Sequence, residues 1–486
     1  MKFLSVQPDT IYFIWQVELQ LYNLQQKNWP MKGIHVLFAY SEELGISQEA
    51  KFLCEKFPDC PVFFYSDTRK NRRYASTIRP HILQKHFVQF PELRHEAIFY
   101  IDSDVIFREL PDFTKLLSDD KWYASNTKSY MSCDLLINAF GYEKFEKMCD
   151  IIGVSAQEVI KNKSNTGGAQ YIIKDIPSDF WHNVEIKSYE LYDYLYSILF
   201  ENTNHNFFKI YPISIWLTEM WVVYWNTILV GKPFVVHPIM DFCWANDTKE
   251  QWNSTYMLHY TGGYEGAFFR KTDFTYLAPF YSDLSYISDD SSSAGIRDLI
   301  LSYRSILNER RIKYNDVTFV IVAQDAASLK LNLDYLLKYF DSNFLVIGLD
   351  FLEPICRRYA NEKIQFVLSD IKAEKDIENI LSRIDITTDK IGVLYSDTII
   401  PIQQIQQAVD MTNDIYRVCP YDRSYKMDVL TSFLFGKLLN CDFLESNVKK
   451  LLPVQDTNNL KVIFINRRQK ISMETTFING YLFLKN

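Results

Sequence analysis

Glycine is scarce in this chain, with 15 among 486 residues. A Gly-rich, basic phosphate loop after the first strand is missing, because residues 5–9 read Ser-Val-Gln-Pro-Asp. That counts against a nucleotidyltransferase. The eight cysteines form no CxxC pair and no Cys/His spacing suited to zinc. Reduced thiols in a cytoplasmic protein are the expected state. No run approaches the ~20 apolar residues of a membrane helix. The start, MKFLSVQPDTIYFIWQ, lacks a long apolar core and a small-residue cleavage site, so a first strand is expected there rather than a signal peptide. A basic excess is missing too. The net charge of −8 disfavours nucleic acid as a general partner, while leaving room for a local basic pocket that takes a phosphate.

What is present points to a globular protein. Hydrophobic residues make up 48% and charged residues 23%. The length suggests two or three domains. Aromatics are abundant, with 35 Phe, 32 Tyr and 9 Trp. They serve either large cores or stacking platforms for sugars and bases, and composition does not separate the two.

Strand and helix signals alternate from the beginning. Strands are expected at Phe3–Val6, Gly33–Tyr40, Val62–Tyr65 and Ala97–Ile101, with helices at Thr10–Gln26, Gln48–Lys56 and Arg79–Phe87. This order implies an α/β fold with a doubly wound, mostly parallel sheet. Tyr281–Gly295 is polar and small, which suits a linker, and Ile296–Arg311 reads as an amphipathic helix. The alternation then restarts with strands at Val317–Ala323, Phe344–Leu349, Ile364–Leu368 and Ile391–Tyr395. The expected organisation is a first α/β domain over 1–281, a linker and connecting helix over 282–312, and a smaller α/β domain of similar type over 313–486.

The stretch most informative about chemistry is Ala-Ile-Phe-Tyr-Ile-Asp-Ser-Asp-Val-Ile-Phe at residues 97–107. Burying two carboxylates side by side is costly. Asp102 and Asp104 must therefore meet a crevice or a cation. A divalent metal answers this most directly, since hard cations prefer carboxylate oxygens. A metal at the C-terminal end of a strand in such a sheet lies where these folds bind nucleotides. Asp104 is then a direct ligand, and Asp102 reaches the nucleotide ribose or completes the metal shell. The plainer alternative is a solvated turn.

Four further constellations stand out. Asp67–Arg79 holds Arg69, Lys70, Arg72, Arg73 and Arg79 in an acidic chain. A solvated loop is the usual fate of such a run, but Arg79 opens the helix before the Asp102 strand and could pair with a diphosphate or with Asp102. Asn165-Thr166-Gly167-Gly168-Ala169-Gln170 offers close backbone approach to a ligand, or a simple turn before a strand at Tyr171–Lys174. Glu219 lies among Trp216, Trp221, Tyr224 and Trp225, a setting that raises a carboxyl pKa toward acid–base use, or else forms an ordinary packed helix. His259 follows a short apolar stretch. With two carboxylates it completes an N/O set that tolerates manganese.

In their order, these pieces resemble glycosyltransferases of the GT-A fold over about residues 1–280. More loosely, Arg79-Pro80, Asp102-Ser103-Asp104, Gly167-Gly168 and Glu219-Met220-Trp221 resemble the hydroxyproline arabinosyltransferase and peptidyl-serine galactosyltransferase group. The resemblance implies a Rossmann-like sheet and transfer of a sugar from a nucleotide-diphosphate donor, a UDP-sugar, to a hydroxyl of a glycan or protein. It implies Mn²⁺ or Mg²⁺ on Asp102, Asp104 and His259. Arg79, Asp102, Ser103, Asp104, Gly167, Gly168 and Gln170 would hold the donor, and Glu219 and Asp102 would act in catalysis. The alternative is a non-catalytic nucleotide-sugar or carbohydrate-binding protein of the same fold. The second half resembles a GT-A domain more faintly. Its strand ends at Asp397 alone, and Arg467 and Arg468 could bind an anion. A non-catalytic domain that holds acceptor, partner or a homo-oligomer interface is expected there.

Overall fold

The structure, a computed structural model, describes residues 1–201, 214–262, 265–275, 278–359, 361–369, 380–381, 383–388, 390–396, 405 and 409, with strand segments at 415–418, 462–466, 474–478 and 481–485. The chain divides into two compact units. One comprises Met1–Asp273 with Ile287–Arg297, the other Phe274–Tyr286 with Asp298–Asn486.

Among the described residues the first unit is built on a seven-stranded sheet. Its first strands are β1 (Lys2–Pro8), β2 (Ile34–Tyr40), β3 (Val62–Ser66) and β4 (Ile98–Tyr100). The chain continues through β5 (Val105–Phe107), β6 (Trp122–Asn126), β7 (Gly167–Ile173), β8 (Phe234–Val236), β9 (Phe242–Trp244) and β10 (Met257–His259). The large sheet runs in the order β3-β2-β1-β4-β7-β6-β8. β3, β2, β1 and β4 are mutually parallel and β7 runs against its neighbours. The interior of β1 and β2 is buried without alternation, as parallel strands covered on both faces require. The expected alternation and the largely parallel sheet are therefore present, with helices Ile11–Gln26, Gln48–Lys56 and Ile78–Gln89 between the strands.

Asp102-Ser103-Asp104 follows β4, where the strand expected at Ala97–Ile101 lies, and is the turn at which the chain leaves the large sheet and enters a second, three-stranded one of order β5-β10-β9. One of the two readings of the glycine pair, a turn before a strand, changes, because β7 already begins at Gly167. The reason is steric. A Cβ on Gly167 would lie 2.9 Å from Val236 Cγ2 and 3.0 Å from the Ser125 carbonyl oxygen, so β6 can approach only a residue without a side chain. The register of β6 and β7 shifts between Ala124 and Ser125, and Ala169 takes a left-handed φ of 64° to absorb it.

The second unit repeats part of this plan. β11 (Ile312–Val322), β12 (Phe340–Gly348), β13 (Ile364–Leu368), β14 (Lys390–Tyr395), β15 (Ile415–Val418) and β16 (Val462–Asn466) form a sheet in the order β13-β12-β11-β14-β16-β15. β11 to β14 are parallel, and β16 is antiparallel to β14. Four parallel strands followed by an antiparallel neighbour is the arrangement of the first unit. Asp397, Arg467 and Arg468 lie outside the described residues. Among the described residues, no helix is long and apolar enough to cross a membrane.

Gly167→Ala is expected to destabilise the protein by about 1–3 kcal/mol, because the clash is with backbone and neighbouring strands. Gly168→Ala should cost less, since its new Cβ would meet chiefly Met220 Cε, the end of a flexible side chain, at 2.7 Å. The midpoints of urea unfolding check this order.

Candidate functional site

The strand order β3-β2-β1-β4 reverses direction between β1 and β4, and such a reversal opens a crevice at the C-terminal ends of the two strands. Asp102-Ser103-Asp104 leaves β4 at that crevice. β5 then pairs antiparallel with β10, in a register that sets His259 opposite Val105. The Tyr260 amide donates to the Asp104 carbonyl oxygen at 3.1 Å. His259 Nε2 thereby comes to 3.2 Å from Asp104 Oδ1 and 3.9 Å from Asp102 Oδ2. One ligand atom from each of these three side chains lies within 4.8 Å of the others.

The turn is held from the first helix. Gln20 Nε2 donates to the carbonyl oxygens of Asp102 (2.8 Å) and Val105 (3.0 Å). Asn23 exchanges two hydrogen bonds with the Phe107 backbone, and Ser103 Oγ donates to Gln16 Oε1 at 3.2 Å. Gln16, Gln20 and Asn23 are all buried, one turn apart on a helix whose other buried residues are apolar except for Glu18. The sequence carried this signal as a polar i, i+4, i+7 line, masked by the surrounding Trp15, Leu19 and Leu21.

Cations answer the carboxylates. Arg79 donates from Nη1 to Asp102 Oδ1 and from Nη2 to Glu219 Oε2, both at 2.5 Å. Lys271 Nζ donates to Asp104 Oδ2. Burial alone would raise the pKa of Asp104, but the Lys271 ammonium and His259 outweigh it and hold the carboxyl well below the ordinary range. Glu219, 2% exposed, goes the other way. Its burial raises its pKa against the pull of Arg79. Burial lowers the Lys271 pKa less than Asp104 raises it, so the ammonium stays charged. Lys271 was not singled out in the sequence. Its reach to Asp104 is a tertiary fact with no local pattern.

Glu219 sits in the first turn of the helix Thr218–Leu229, whose Trp221, Tyr224 and Trp225 are buried, while Trp216 is 58% exposed. The Glu219 amide donates to Tyr74 Oη at 2.9 Å. Arg69 and Arg72 are tied to Asp67, and Arg73 to Asp193.

The far side of His259 is also fixed. Ser125 Oγ lies 2.6 Å from the Gln170 amide and 2.6 Å from the Met240 carbonyl oxygen. The Gln170 amide nitrogen lies 3.5 Å from His259 Nδ1, so the far ring nitrogen has a polar neighbour while Nε2 faces the two carboxylates. Two carboxylates and an imidazole nitrogen so arranged fit a divalent cation of the Mg²⁺ or Mn²⁺ kind. The Trp244 ring stacks on His259 at 5.5 Å and Phe242 packs edge-on at 5.2 Å. Phe242 also lines an open, polar groove of about 690 Å³, with Lys128, Asp241, Asp247 and Gln251 on its walls.

The structure thus brings together Arg79, Asp102, Asp104, Glu219, His259 and, through His259, Gln170. Ser103 holds the turn. Gly167 and Gly168 are buried, and what lies against Gly168 is Met220, Met131 and Tyr171.

No protein-family profile and no curated protein sequence matches the chain. Solved structures that resemble it include glycosyltransferases. The WbbM bifunctional glycosyltransferase is 10% identical, with 64% of this chain and 51% of that one covered at a TM-score of 0.35. This chain therefore spans about half of that protein's length. The glycosyltransferase GlyE of Streptococcus pneumoniae TIGR4 is 12% identical, with 81% and 84% covered and a TM-score of 0.30. The galactosyltransferase LgtC, solved with donor and acceptor sugar analogues, is 12% identical, with 62% and 96% covered and a TM-score of 0.33.

Gln20→Ala leaves two buried carbonyls without their donor and is expected to cost about 1–3 kcal/mol, read as a drop in the urea midpoint. A second expectation concerns acid. Asp104 has a folded pKa below its unfolded one, so its share of stability is complete above about pH 4 and is lost as pH falls. Asp104→Asn should flatten that acid limb, seen in melting temperatures compared between neutral pH and about pH 3.

Proposed function

We propose that the first unit is a metal-dependent glycosyltransferase that moves a sugar from a nucleotide-diphosphate donor, a UDP-sugar, to a hydroxyl of a glycan or protein. One observation carries this reading. Asp102, Asp104 and His259 converge at the crevice where the sheet reverses, from β4 and β10. A divalent cation bound by these three residues, Mn²⁺ or Mg²⁺, would supply charge neutralisation for the departing diphosphate.

The chain's own residues do the rest. Arg79 fixes Asp102, and Glu219 fixes Arg79, so the guanidinium enters the crevice already oriented. Lys271 places a second permanent positive charge beside Asp104, facing an anionic donor. Gln170, bonded to Ser125, lies beside Nδ1 of His259 and backs the ring from its far side. In the transfer, the bond from the anomeric carbon to the diphosphate oxygen breaks with oxocarbenium character, and the acceptor oxygen forms the new bond as its proton passes to the departing diphosphate. Glu219 is nearly sealed and ion-paired, which suits a positioning role through Arg79. The groove beyond Phe242, polar and open, suits an acceptor rich in hydroxyls.

A second reading, a non-catalytic binder of nucleotide sugars, is favoured by one fact: Asp102, Asp104 and Glu219 all have cationic protein partners already. A panel of UDP-sugars assayed with Mn²⁺ separates the two. Wild-type protein should release UDP, and Asp104→Ala or His259→Ala should reduce the rate by about a hundredfold or more, in line with the several kcal/mol a metal contributes. Full activity in Asp104→Ala would sink the metal assignment. Metal-dependent thermal stabilisation by a UDP-sugar with no turnover would establish the binder.

A further inference from the structure

The second unit contains a cavity of about 440 Å³ that the transfer reaction does not use. It lies at the start of β12 and just before β11 and β13, the N-terminal ends of these parallel strands. α/β sheets bind nucleotides at the opposite ends, so this is not a second copy of the crevice in the first unit.

Three cations line it: Arg304, Arg311 and Lys363. Two acids face them. Glu362 is exposed, and Asp341 accepts from Lys363 Nζ at 2.8 Å and lies 3.9 Å from Arg311 Nη2. The hydrogen bonds of the two guanidiniums go to carbonyls, with Asp341 a more distant ion-pair partner of Arg311. Arg304 donates to the Phe280 and Ser282 oxygens, and Arg311 Nη1 to those of Leu337 and Phe340 at 3.3 Å each. Carbonyls orient a guanidinium without cancelling its charge. Burial holds the Arg304 pKa below its ordinary value, against the opposing pull of Tyr281 and Asp283 and with a smaller push from Arg311.

The accounting is incomplete at two buried atoms. The Arg311 side chain is only 9% exposed, yet its Nε finds no hydrogen-bond partner among the described residues. The same holds for Asn308 Oδ1. Both residues line the cavity. An unused donor on a desolvated guanidinium calls for an acceptor, and an unused amide oxygen beside it calls for a donor. A phosphoryl group with a neighbouring hydroxyl provides both. Arginine's planar fork suits phosphate oxygens.

We propose that this cavity is a binding site for a small phosphorylated ligand, with Arg304 and Arg311 as the oriented pair, Lys363 as the mouth charge and Asn308 as the acceptor for a ligand hydroxyl. The site is separate from the metal cluster and does not depend on the glycosyltransferase reading.

The test uses the full chain in EDTA, with inorganic phosphate as the probe and acetate at matched ionic strength as the control, followed by calorimetry and thermal shift. Phosphate should bind and raise the melting temperature where acetate does not. Lys363→Gln, a change at the mouth, should weaken phosphate binding about tenfold, each variant's phosphate shift being read against its own ligand-free melting temperature. Arg311→Lys keeps the charge but removes the fork, and should weaken binding at least as much. Phosphate binding no better than acetate, or undiminished in Lys363→Gln, overturns the proposal. A folding failure in Arg311→Lys leaves Lys363→Gln to decide.

Discussion

Asp104 is a carboxylate that water barely reaches, and the architecture around it follows from the need to satisfy that charge. A lone buried carboxylate costs several kcal/mol, and a second one two residues away compounds the cost. Lys271 and His259 face Asp104, Arg79 faces Asp102, and Glu219 in turn holds Arg79. Remove this chain of partners and the turn between β4 and β5 has no reason to remain where it is. The polar line of Gln16, Gln20 and Asn23 does the corresponding work for the backbone of that turn.

This is a site built to hold anions and cations in close alternation. Three carboxylates meet two permanent cations and an imidazole. The negative remainder suits a cation, and the oriented cations suit an anion. Both preferences are fixed before any ligand arrives, and preorganised electrostatics of this sort are the larger part of what an active site contributes.

Much of this was legible in the sequence, because it was local. The apolar runs gave β1 to β4 with ends displaced by one or two residues, and the two carboxylates announced the crevice because no other place on a buried strand suits them. Arg79 was readable from its position ahead of that strand. What lay beyond reach depended on pairing between distant segments. His259 stands beside Asp104 because β5 crosses to β10, and nothing near His259 in the sequence says so. Lys271 is a lysine in an unremarked loop until the fold brings it to Asp104. The glycine pair was visible, but of its two readings the turn gives way to a strand start, since the approach of β6 that requires it is a tertiary constraint. In the second unit the strand order repeats the first, yet the cationic cavity draws on a loop near 281, a helix end near 311 and the starts of two strands, a combination that no single window contains.

The departure of β5 from the large sheet has one more consequence. Because the carboxylate turn is shared by two sheets, Asp102 and Asp104 stand between the two hydrogen-bonded ladders, while His259 comes from a distant segment, β10, of the small one. An ion seated among them would rivet the small sheet to the large one. Its binding energy would then appear as resistance to local opening of β9 and β10. Hydrogen exchange in those short strands, rather than in the core of the large sheet, is where occupancy of the centre would be recorded.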